Sequence, residues 1–398
     1  MSLPRVAVVG IHGHGASHVR RATQLAADGG CRLVAVADPR PPTADELALL
    51  VTLTTPESSP LTALASTPGA GAKPRVYSGL PALLAAEEVD VVVLSTPIHT
   101  HAALAELALR AGADVLLEKP PVASTAEFER LLQVLDETGR SCQIGFQANG
   151  SAAVRALAEM VAEGTFGEIR GIGATGVWVR KQAYWQRAKW AGRRTLDGVP
   201  VVDGVVTNPF AHSVAIALLL DGSGRADQIA GVETELFHAN EIEADDTSAV
   251  RIRTTRGTTI VAAFTLCAAD DEPPKVTVYG SKGQAVLSYT TDELEVNGST
   301  TQYGREDLLE NLLDHRRDGV PLIAPLVETG GFMRVLDAVR SAPAPGVVPA
   351  SWAGDGEERH PVVPGIEKWI EQAAERQLLF SELGVPWAGP TENRSFDR

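Results

Sequence analysis

The residues with the clearest chemistry lie in a glycine-rich segment near the start of the chain. The sequence GIHGHG (residues 10–15) stands between an apolar run (residues 6–9) and a helical pattern (residues 16–27). A turn of this kind between a strand and a helix presents backbone N–H groups to a pyrophosphate. Gly10 would permit the tight turn, and Gly15 would permit close packing of helix on strand. The segment predicts a dinucleotide site; a purely structural turn is the alternative.

Three residues in or near this turn affect which dinucleotide can bind. His12 occupies the middle-glycine position of G-x-G-x-x-G, where a Cβ crowds the pyrophosphate unless Gly13 shifts the loop. Asp38 ends the next apolar run, and its carboxylate can accept hydrogen bonds from an adenosine ribose. Arg40 can instead pair with a 2′-phosphate, although the Asp38 carboxylate would repel that group. We therefore predict NAD as the cofactor, with NADP as the alternative.

Two further segments carry polar side chains at the ends of predicted strands. They are STPIHTH (residues 95–101) and EKPP (residues 118–121). Ligands of a doubly wound sheet bind at the carboxyl ends of its strands. Partial burial of Lys119 would lower its pKa and let it exchange a proton with a substrate hydroxyl. A surface lysine paired with Glu118 is the alternative.

An aromatic and cationic segment follows at residues 184–194. Its sequence, YWQRAKWAGRR, holds two tryptophans, a tyrosine and four cationic residues without clear periodicity. Aromatic faces stack on the C–H surfaces of sugars, and arginines hold hydroxyls or carboxylates with paired hydrogen bonds. Trp185, Arg187 and Trp190 are therefore candidate substrate contacts. A loop that packs on a neighbouring subunit is the alternative.

The elements that must position these residues follow from hydrophobic periodicity. Through the first 147 residues, short β-branched runs alternate with amphipathic helical patterns, and the runs are apolar on both faces. This pattern predicts a doubly wound parallel sheet covered by helices. We predict an α/β Rossmann domain over residues 1–147. Residues 41–74 interrupt it with a short helix and a mobile surface insertion.

Longer strands joined by turns replace this alternation after residue 147. The predicted strands are 169–179, 229–237, 249–254, 258–266, 275–279 and 284–289, and the predicted helices are 152–163, 305–317 and 327–340. They indicate an α+β domain over residues 148–342 with an open-faced, largely antiparallel sheet. Residues 343–398 form a C-terminal extension, whose helix (366–382) we expect to pack back on the body.

Composition argues against several classes of protein. The chain has 398 residues, of which 44% are hydrophobic and 21% charged, and a formal net charge of −15, which disfavours nucleic-acid and membrane-surface partners. Three scattered cysteines argue against a disulfide framework or a zinc site, and the spacing shows no metal cluster. No basic segment with an apolar run precedes residue 6, and no apolar run reaches about 20 residues. We expect a cytoplasmic protein.

Several motifs together resemble the glucose-fructose oxidoreductase / inositol dehydrogenase / rhizopine-catabolism (Gfo/Idh/MocA) oxidoreductases. They are VVGIHGHG, VDVVVLSTPIHTH, the EKP tripeptide (118–120), QIGFQ (143–147), DDTSAVRIRTTRG, VTVYGSKGQA and LLDHRRDGVP. The resemblance covers residues 6–341. It implies a Rossmann domain joined to an open-faced sheet domain that binds substrate and makes oligomer contacts. Such proteins mostly oxidise or reduce sugars, cyclitols and their derivatives with NAD(P).

The same resemblance implies roles for residues of the Rossmann domain. Lys119 matches the active-site lysine, and Pro120 matches the proline that fixes it, which implies a cis Lys119–Pro120 peptide bond. Thr96 and Pro97 match a turn near the nicotinamide. His101 matches the histidine that follows this turn.

In the second domain the resemblance implies a catalytic histidine. His212 matches it, but Asn208 stands where an aspartate is usual four residues earlier. An asparagine can orient the imidazole but cannot stabilise its charge. Asp203 or a water is a possible substitute. Without the resemblance, a lone histidine at the start of an apolar helix is more often structural.

The predicted function is reversible hydride transfer between nicotinamide and a secondary alcohol of a sugar, cyclitol or related polyol. His212 would act as general base or acid, and Lys119 would polarise the same oxygen. We expect a homodimer or homotetramer. The predicted cofactor contacts are Gly10, His12, Gly13, His14, Gly15, Asp38, Arg40, Thr96, Pro97, His101, Glu118 and Lys119, and the predicted substrate contacts are Trp185, Arg187, Trp190, Asp203, Asn208 and His212.

Departures from the family pattern leave alternatives open. They are His12, Ile98 in place of a common asparagine, and Asn208. One alternative is a dinucleotide-sensing or scaffold protein that kept the fold without turnover. The other is an NAD-recycling lyase or glycosidase.

Overall fold

The computed structural model describes residues 2–44, 46, 73–389 and 395–396. The chain divides into two compact units. The first comprises Met1–Val122, Glu127–Gly145 and Asp307–Leu326, and the second comprises Ala123–Ala126, Phe146–Glu306 and Val327–Arg398. Most of the insertion predicted for residues 41–74 lies outside the described residues.

The described part of the first unit contains a six-stranded sheet in which neighbouring strands are parallel. Its strands are β1 Arg5–Val9, β2 Arg32–Ala37, β3 Arg75–Tyr77, β4 Val91–Leu94, β5 Asp114–Leu117 and β6 Cys142–Ile144. Their order, β3-β2-β1-β4-β5-β6, is that of a doubly wound Rossmann sheet, which confirms the predicted fold class. Strand β3 was not predicted, because two of its three residues are exposed and it lacks an apolar run.

Helices follow most of these strands. They are Gly15–Ala27, Leu80–Ala86, His101–Arg110 and Thr125–Thr138. The core strands β1 and β4 are almost fully buried because helices cover the sheet, and this explains their unbroken apolar sequences. The chain order reverses between β1 and β4, so the crevice at their carboxyl ends is the expected ligand site.

A late helix, Leu308–Asp318, belongs to the first unit, although its place in the sequence predicted the second domain. Its apolar face joins the core of the parallel sheet, where Leu312 is fully buried. The buried Gln143 of β6 holds the same segment, since its amide donates to the Leu308 carbonyl (2.6 Å) and accepts from the Ala324 N–H (3.1 Å). Periodicity identified the helix, but it carries no information about which core the apolar face joins.

The second unit is built on a long, mixed sheet. The strands of this unit are β7 Ile169–Val179, β8 Thr195–Leu196, β9 Val199–Pro200, β10 Ile229–His238, β11 Thr247–Thr254, β12 Thr259–Thr265, β13 Cys267–Gly280, β14 Gly283–Ser288, β15 Glu293–Val296, β16 Ser299–Gln302, β17 Gly346–Val347, β18 Ser351–Ala353, β19 His360–Val362 and β20 Ser395–Phe396. The main sheet has the order β16-β15-β14-β13-β7-β12-β11-β10-β17, with β20 also on β10. Most neighbours are antiparallel, as predicted, whereas β7–β12 and β10–β17 are parallel.

Both faces of this sheet are covered near β12. Phe264 stacks on Phe210, with ring centroids 4.8 Å apart, on the face that packs against the helix Ala211–Asp221. Val261 and Ala263 alternate to the opposite face, where they join a second core. Burial on both faces explains why β12 lacks the polar alternation of a half-exposed strand.

The C-terminal extension supplies the cover for that opposite face. The helix Ile366–Arg376 packs against β7 and β12 and buries Ile366, Ile370 and Ala373 in the same core as Val261. The sheet is therefore less open than the sequence predicted. The other helices of the unit are Ala152–Ala162, Gln182–Gln186, Ala211–Asp221 and Gly330–Ser341. Within the described residues, we find no helix with the length and apolar character required to cross a bilayer.

Candidate functional site

The glycine-rich turn of the first unit leaves no room for side chains at two positions. Gly10 has φ +81°, and a Cβ added there would lie 2.0 Å from the Ser95 carbonyl oxygen. Gly15 begins the first helix, and its Cβ would lie 1.9 Å from the Gly10 carbonyl oxygen. At Gly13 (φ +58°) nothing among the described residues lies within 4 Å of an added Cβ. The turn thus brings the amino end of a helix, with its positive dipole end, to the carboxyl edge of the sheet.

The carboxylate of Asp38 is fixed beside this turn. It accepts hydrogen bonds from the backbone N–H groups of Ile11 (3.2 Å) and Arg40 (2.9 Å), and the residue is only 8% exposed. The Arg40 side chain is 71% exposed, with Nε 3.4 Å from Asp38 Oδ1. The arrangement suits a ribose hydroxyl, and the carboxylate charge opposes a 2′-phosphate.

His12 is held by two acidic side chains. Its Nδ1 lies 2.8 Å from Glu46 Oε1, and its Nε2 lies 3.6 Å from Asp38 Oδ1. These contacts direct the ring to the Asp38 side of the turn. Glu46 was not recognised in the sequence, because it lies in a polar segment without a motif.

His101 connects the two predicted strand-end segments. It is 1% exposed, and its ring nitrogens lie 2.8 Å from the Thr96 carbonyl oxygen and 2.9 Å from that of Pro120. Burial lowers the pKa of His101, and the contacts with these carbonyl oxygens oppose the shift. The Lys119–Pro120 bond is cis, as predicted. The buried His101 side chain is suited to positioning the segments 95–101 and 118–121. Pro97 lies at the start of the turn that leads to His101.

The Glu118 carboxylate is buried near the turn and meets two histidines. Its Oε1 lies 3.2 Å from His14 Nε2 and 2.8 Å from His18 Nε2, and its Oε2 accepts the Lys119 N–H (3.1 Å). Burial alone would raise the pKa of Glu118, but hydrogen bonds from His14 and His18 hold it well below its usual range. The hydrogen bond to Glu118 raises the pKa of His14. His18 was missed, although its position four residues after His14 was a usable signal.

In the second unit, the buried carboxylate of Asp203 joins two other predicted substrate contacts. Asp203 is 4% exposed and accepts hydrogen bonds from Arg187 (2.9 Å), the Gly192 N–H (2.9 Å) and the Asn208 amide (2.5 Å). Asn208 therefore donates to Asp203, the residue considered as a substitute for the usual aspartate. Arg187, Asp203 and Asn208 form one hydrogen-bonded group.

Aromatic rings surround the Arg187 guanidinium. The guanidinium lies 3.7 Å from the centroid of the Tyr184 ring and 4.6 Å from that of Trp190. Trp185 is 7% exposed and lies edge-on to Tyr184, with centroids 4.9 Å apart. This burial favours a packing role for Trp185 over the predicted substrate contact. Arg187 and Trp190 retain exposed surface.

His212 lies at the start of the helix Ala211–Asp221, between aromatic side chains. Its ring is edge-on to Phe146 (centroids 5.8 Å apart) and tilted to Tyr289 (6.5 Å). The Tyr289 hydroxyl is hydrogen-bonded to that of Ser213 at 2.8 Å, which fixes this ring. Phe146 and Tyr289 were missed because they come from distant parts of the chain. The half-buried imidazole is thus held in a defined orientation.

Two models of one protein family match the chain. The model described as an oxidoreductase family with an NAD-binding Rossmann fold matches residues 4–146, and the GFO/IDH/MocA C-terminal domain matches residues 154–286. Together they cover more than two thirds of the chain. The first description names NAD, in agreement with the predicted cofactor.

Two curated relatives match over shorter segments. The chain is 39% identical over 97 residues to dTDP-3,4-didehydro-2,6-dideoxy-alpha-D-glucose 3-reductase of Actinomadura kijaniata. The matched segment covers 24% of this chain and 29% of the relative. It is 30% identical over 166 residues to inositol 2-dehydrogenase of Leifsonia xyli subsp. xyli, and this second matched segment covers 42% of each chain. The matches therefore span less than half the length of these relatives.

A solved structure has the same fold over most of the chain. The WlbA dehydrogenase from Bordetella pertussis, in complex with NADH and UDP-GlcNAcA, has a TM-score of 0.66 and 22% sequence identity. The likeness covers 85% of this chain and 95% of that one. From the strand order, the sequence motifs and the matching models of both domains, we conclude that the chain belongs to the Gfo/Idh/MocA oxidoreductase family.

Proposed function

We propose that the protein is an NAD-dependent oxidoreductase that transfers a hydride between nicotinamide and a secondary alcohol of a sugar, cyclitol or related polyol. One observation carries the proposal: the turn at residues 10–15 is shaped by backbone contacts that exclude side chains at Gly10 and Gly15, beside the fixed carboxylate of Asp38. Such a turn at the switch point of a doubly wound sheet is suited to a dinucleotide.

Bound NAD would supply the hydride acceptor, and the chain's own residues would orient the substrate and move its proton. The sheet edge that carries the turn also carries Lys119, whose charge acts on the pKa of His14. We assign to Lys119 the polarisation of the reacting oxygen. We assign to His212, held between Phe146 and Tyr289, the role of general base or acid.

The group formed by Arg187, Asp203 and Asn208 supports a substrate with several hydroxyls. The Arg187 guanidinium donates to Asp203 and lies over the Trp190 ring. The surface that these two side chains leave exposed would meet the hydroxyls and C–H groups of a sugar ring. The curated relatives named above act on a nucleotide-linked sugar and on inositol, both of which belong to this chemical class. A panel of such alcohols would identify the substrate.

Replacement of Lys119 tests the assigned chemistry. With a panel of cyclitols, sugars and nucleotide sugars, we expect Lys119→Ala to lower kcat by about 10²- to 10⁴-fold, because proton transfer at the reacting oxygen is lost. NADH binding, followed by fluorescence, should remain close to that of the wild type. Lys282→Ala, at an exposed hairpin turn of the second unit, is the matched control and should leave both values unchanged.

The outcomes also separate the alternatives. Unchanged kcat in Lys119→Ala would remove the role assigned to this lysine. Saturable NADH binding without turnover of any alcohol would favour the dinucleotide-sensing or scaffold protein, for which His12, Ile98 and Asn208 argue. Release of sugar from a glycoside, with dependence on NAD, would favour the recycling glycosidase.

Assembly and location remain part of the proposal. We propose a homodimer or homotetramer in the cytoplasm. The C-terminal helix Ile366–Arg376 covers part of the sheet that was predicted to be open, so any subunit contact through that sheet would use the remaining surface or the extension itself. Sedimentation of the full chain measures the state of assembly directly.

A further inference from the structure

Three side chains that can ligate a metal meet beside the glycine-rich turn. They are His14, His18 and Glu118, and their ligating atoms all lie within 4.8 Å of one another. Both imidazoles approach one carboxylate oxygen, with Nε2 of His14 at 3.2 Å and Nε2 of His18 at 2.8 Å from Glu118 Oε1. Two ligands of a tetrahedral zinc ion, each about 2.0–2.1 Å from the metal, lie roughly 3.3 Å apart. The two distances from the imidazoles to the carboxylate oxygen are close to that value.

The fold brings these ligands together from two elements of the first unit. His14 precedes the helix Gly15–Ala27, and His18 lies one turn further on the same face. Glu118 follows strand β5 at the same carboxyl edge of the sheet, two strands from β1. The Lys119 N–H holds its second oxygen, and Gly145 leaves space for the carboxylate, because a Cβ there would lie 2.8 Å from Oε1.

Burial differs among the three ligands in a way that suits an open metal site. The side chains of His18 and Glu118 are 11% and 10% exposed, whereas that of His14 is 60% exposed. The inner side of the cluster is therefore enclosed by protein, and the outer side faces solvent. An ion bound here would keep a coordination position for water or another oxygen ligand.

A carboxylate oxygen has two lone pairs, so a cluster held by hydrogen bonds alone is the alternative to a metal site. For both imidazoles to donate to Oε1, each must carry its proton on Nε2, and both N–H groups then share one acceptor. A metal ion between the three groups would accept a lone pair from each. Two imidazoles with one carboxylate favour first-row transition metals, while Mg²⁺ and Ca²⁺ prefer sites made of oxygen ligands.

We propose that His14, His18 and Glu118 form a binding site for a divalent first-row transition metal, best matched by Zn²⁺, with an open fourth position. This site goes beyond the proposed hydride transfer and does not depend on it. The spacing of His14 and His18 indicated only a pair of histidines on one helix face. Glu118 is separated from His14 by 104 residues and joins the histidines only through the β1-β4-β5 order of the sheet.

The test uses the full chain, stripped of metal with a chelator and titrated with Zn²⁺ alone, without any dinucleotide. We expect one Zn²⁺ per chain by equilibrium dialysis, and no saturation with Mg²⁺. His14→Ala should weaken Zn²⁺ binding at least about tenfold, since loss even of a supporting group costs that much. His360→Ala, in strand β19 of the second unit, is the matched histidine control and should bind Zn²⁺ like the wild type.

A second measurement on the unaltered chain guards against a folding defect in the variant. Bound Co²⁺ should give the strong visible absorption of a four-coordinate nitrogen and oxygen site, without a thiolate charge-transfer band. Absence of saturable Zn²⁺ binding, or equal affinity in a folded His14→Ala variant, would overturn the proposal. Failure of NADH binding would contradict the proposed function but leave this result unaffected.

Discussion

The candidate site residues of the two units are held in place by different means. Around the glycine-rich turn, the backbone sets the geometry: Gly10 and Gly15 pack directly on carbonyl oxygens, and two N–H groups fix Asp38. In the second unit, Arg187, Asp203 and Asn208 lie on a segment with little regular structure, and their side chains hold one another, with Asp203 as the shared acceptor. A site built by the backbone is encoded in a few adjacent residues, whereas a site built by side chains depends on pairs that the sequence does not link.

The largest expected effect comes from a methyl group added to the turn. Gly15→Ala places a Cβ 1.9 Å from the Gly10 carbonyl oxygen, so the backbone itself must move. We expect the free energy of unfolding to fall by roughly 3–4 kcal/mol and NADH binding to be lost. Urea denaturation and NADH fluorescence measure the two effects.

Gly13→Ala is the matched control for this change. An added Cβ has open space around it among the described residues, and the cost should be about 1 kcal/mol, from the positive φ alone. Equal losses of stability in the two variants would show that packing against the backbone does not define the turn.

Removal of the shared acceptor tests the second unit. Asp203→Ala leaves the Arg187 guanidinium and the Gly192 N–H without their buried partner, and we expect a loss of about 2–3 kcal/mol, reduced because Arg187 is partly exposed. Glu243→Ala is the control, because the ion pair between Glu243 and Arg193 is half-exposed and 3.5 Å long. The free energy of unfolding should change by no more than about 0.5 kcal/mol in this variant. Thermal unfolding of both variants distinguishes the cases. Similar small losses would mean that Asp203 does not organise this region.

A pH-dependent effect of similar size concerns a buried carboxyl next to that segment. Burial raises the pKa of Asp245 to about 6, well above its value in an unfolded chain. Its contribution to stability is therefore complete at pH values below the unfolded pKa and is lost as the pH rises through about 6. Asp245→Asn should gain roughly 2–3 kcal/mol of stability relative to the wild type between acidic and neutral pH.

Melting temperatures on both sides of that pH range provide the measurement. The difference between Asp245→Asn and the wild type should grow as the pH rises. Asp227→Asn, at a side chain 81% exposed, should show a constant difference. A constant difference for Asp245→Asn as well would contradict the raised pKa and the cost of burying this charge.

Much of the fold followed from periodicity, because strands and helices with an apolar face have a characteristic repeat. Strand β7 was predicted with its observed ends, Ile169–Val179, and the helix Gly15–Ala27 was predicted to within one residue. Strand β3 escaped because it lies at the exposed edge of its sheet. The helix Leu308–Asp318 was found but assigned to the wrong unit, since its buried face gives no sign of the core it joins.

The candidate sites divide in the same way. The positions of Gly10, Gly15 and Asp38 followed from a local motif whose geometry is fixed by the backbone. The partners of His12 and Glu118 did not follow, because Glu46 and His18 meet them only after the chain folds. Long-range hydrogen bonds of this kind leave no pattern in the local sequence.

Titration of the full chain with NADH and with NADPH, followed by nicotinamide fluorescence, tests the dinucleotide site most directly. Because the backbone holds the Asp38 carboxylate where a ribose would bind, NADH should bind saturably below millimolar concentration, and NADPH should bind more weakly. Absence of saturable binding for both nucleotides, or tighter binding of NADPH, would contradict the account.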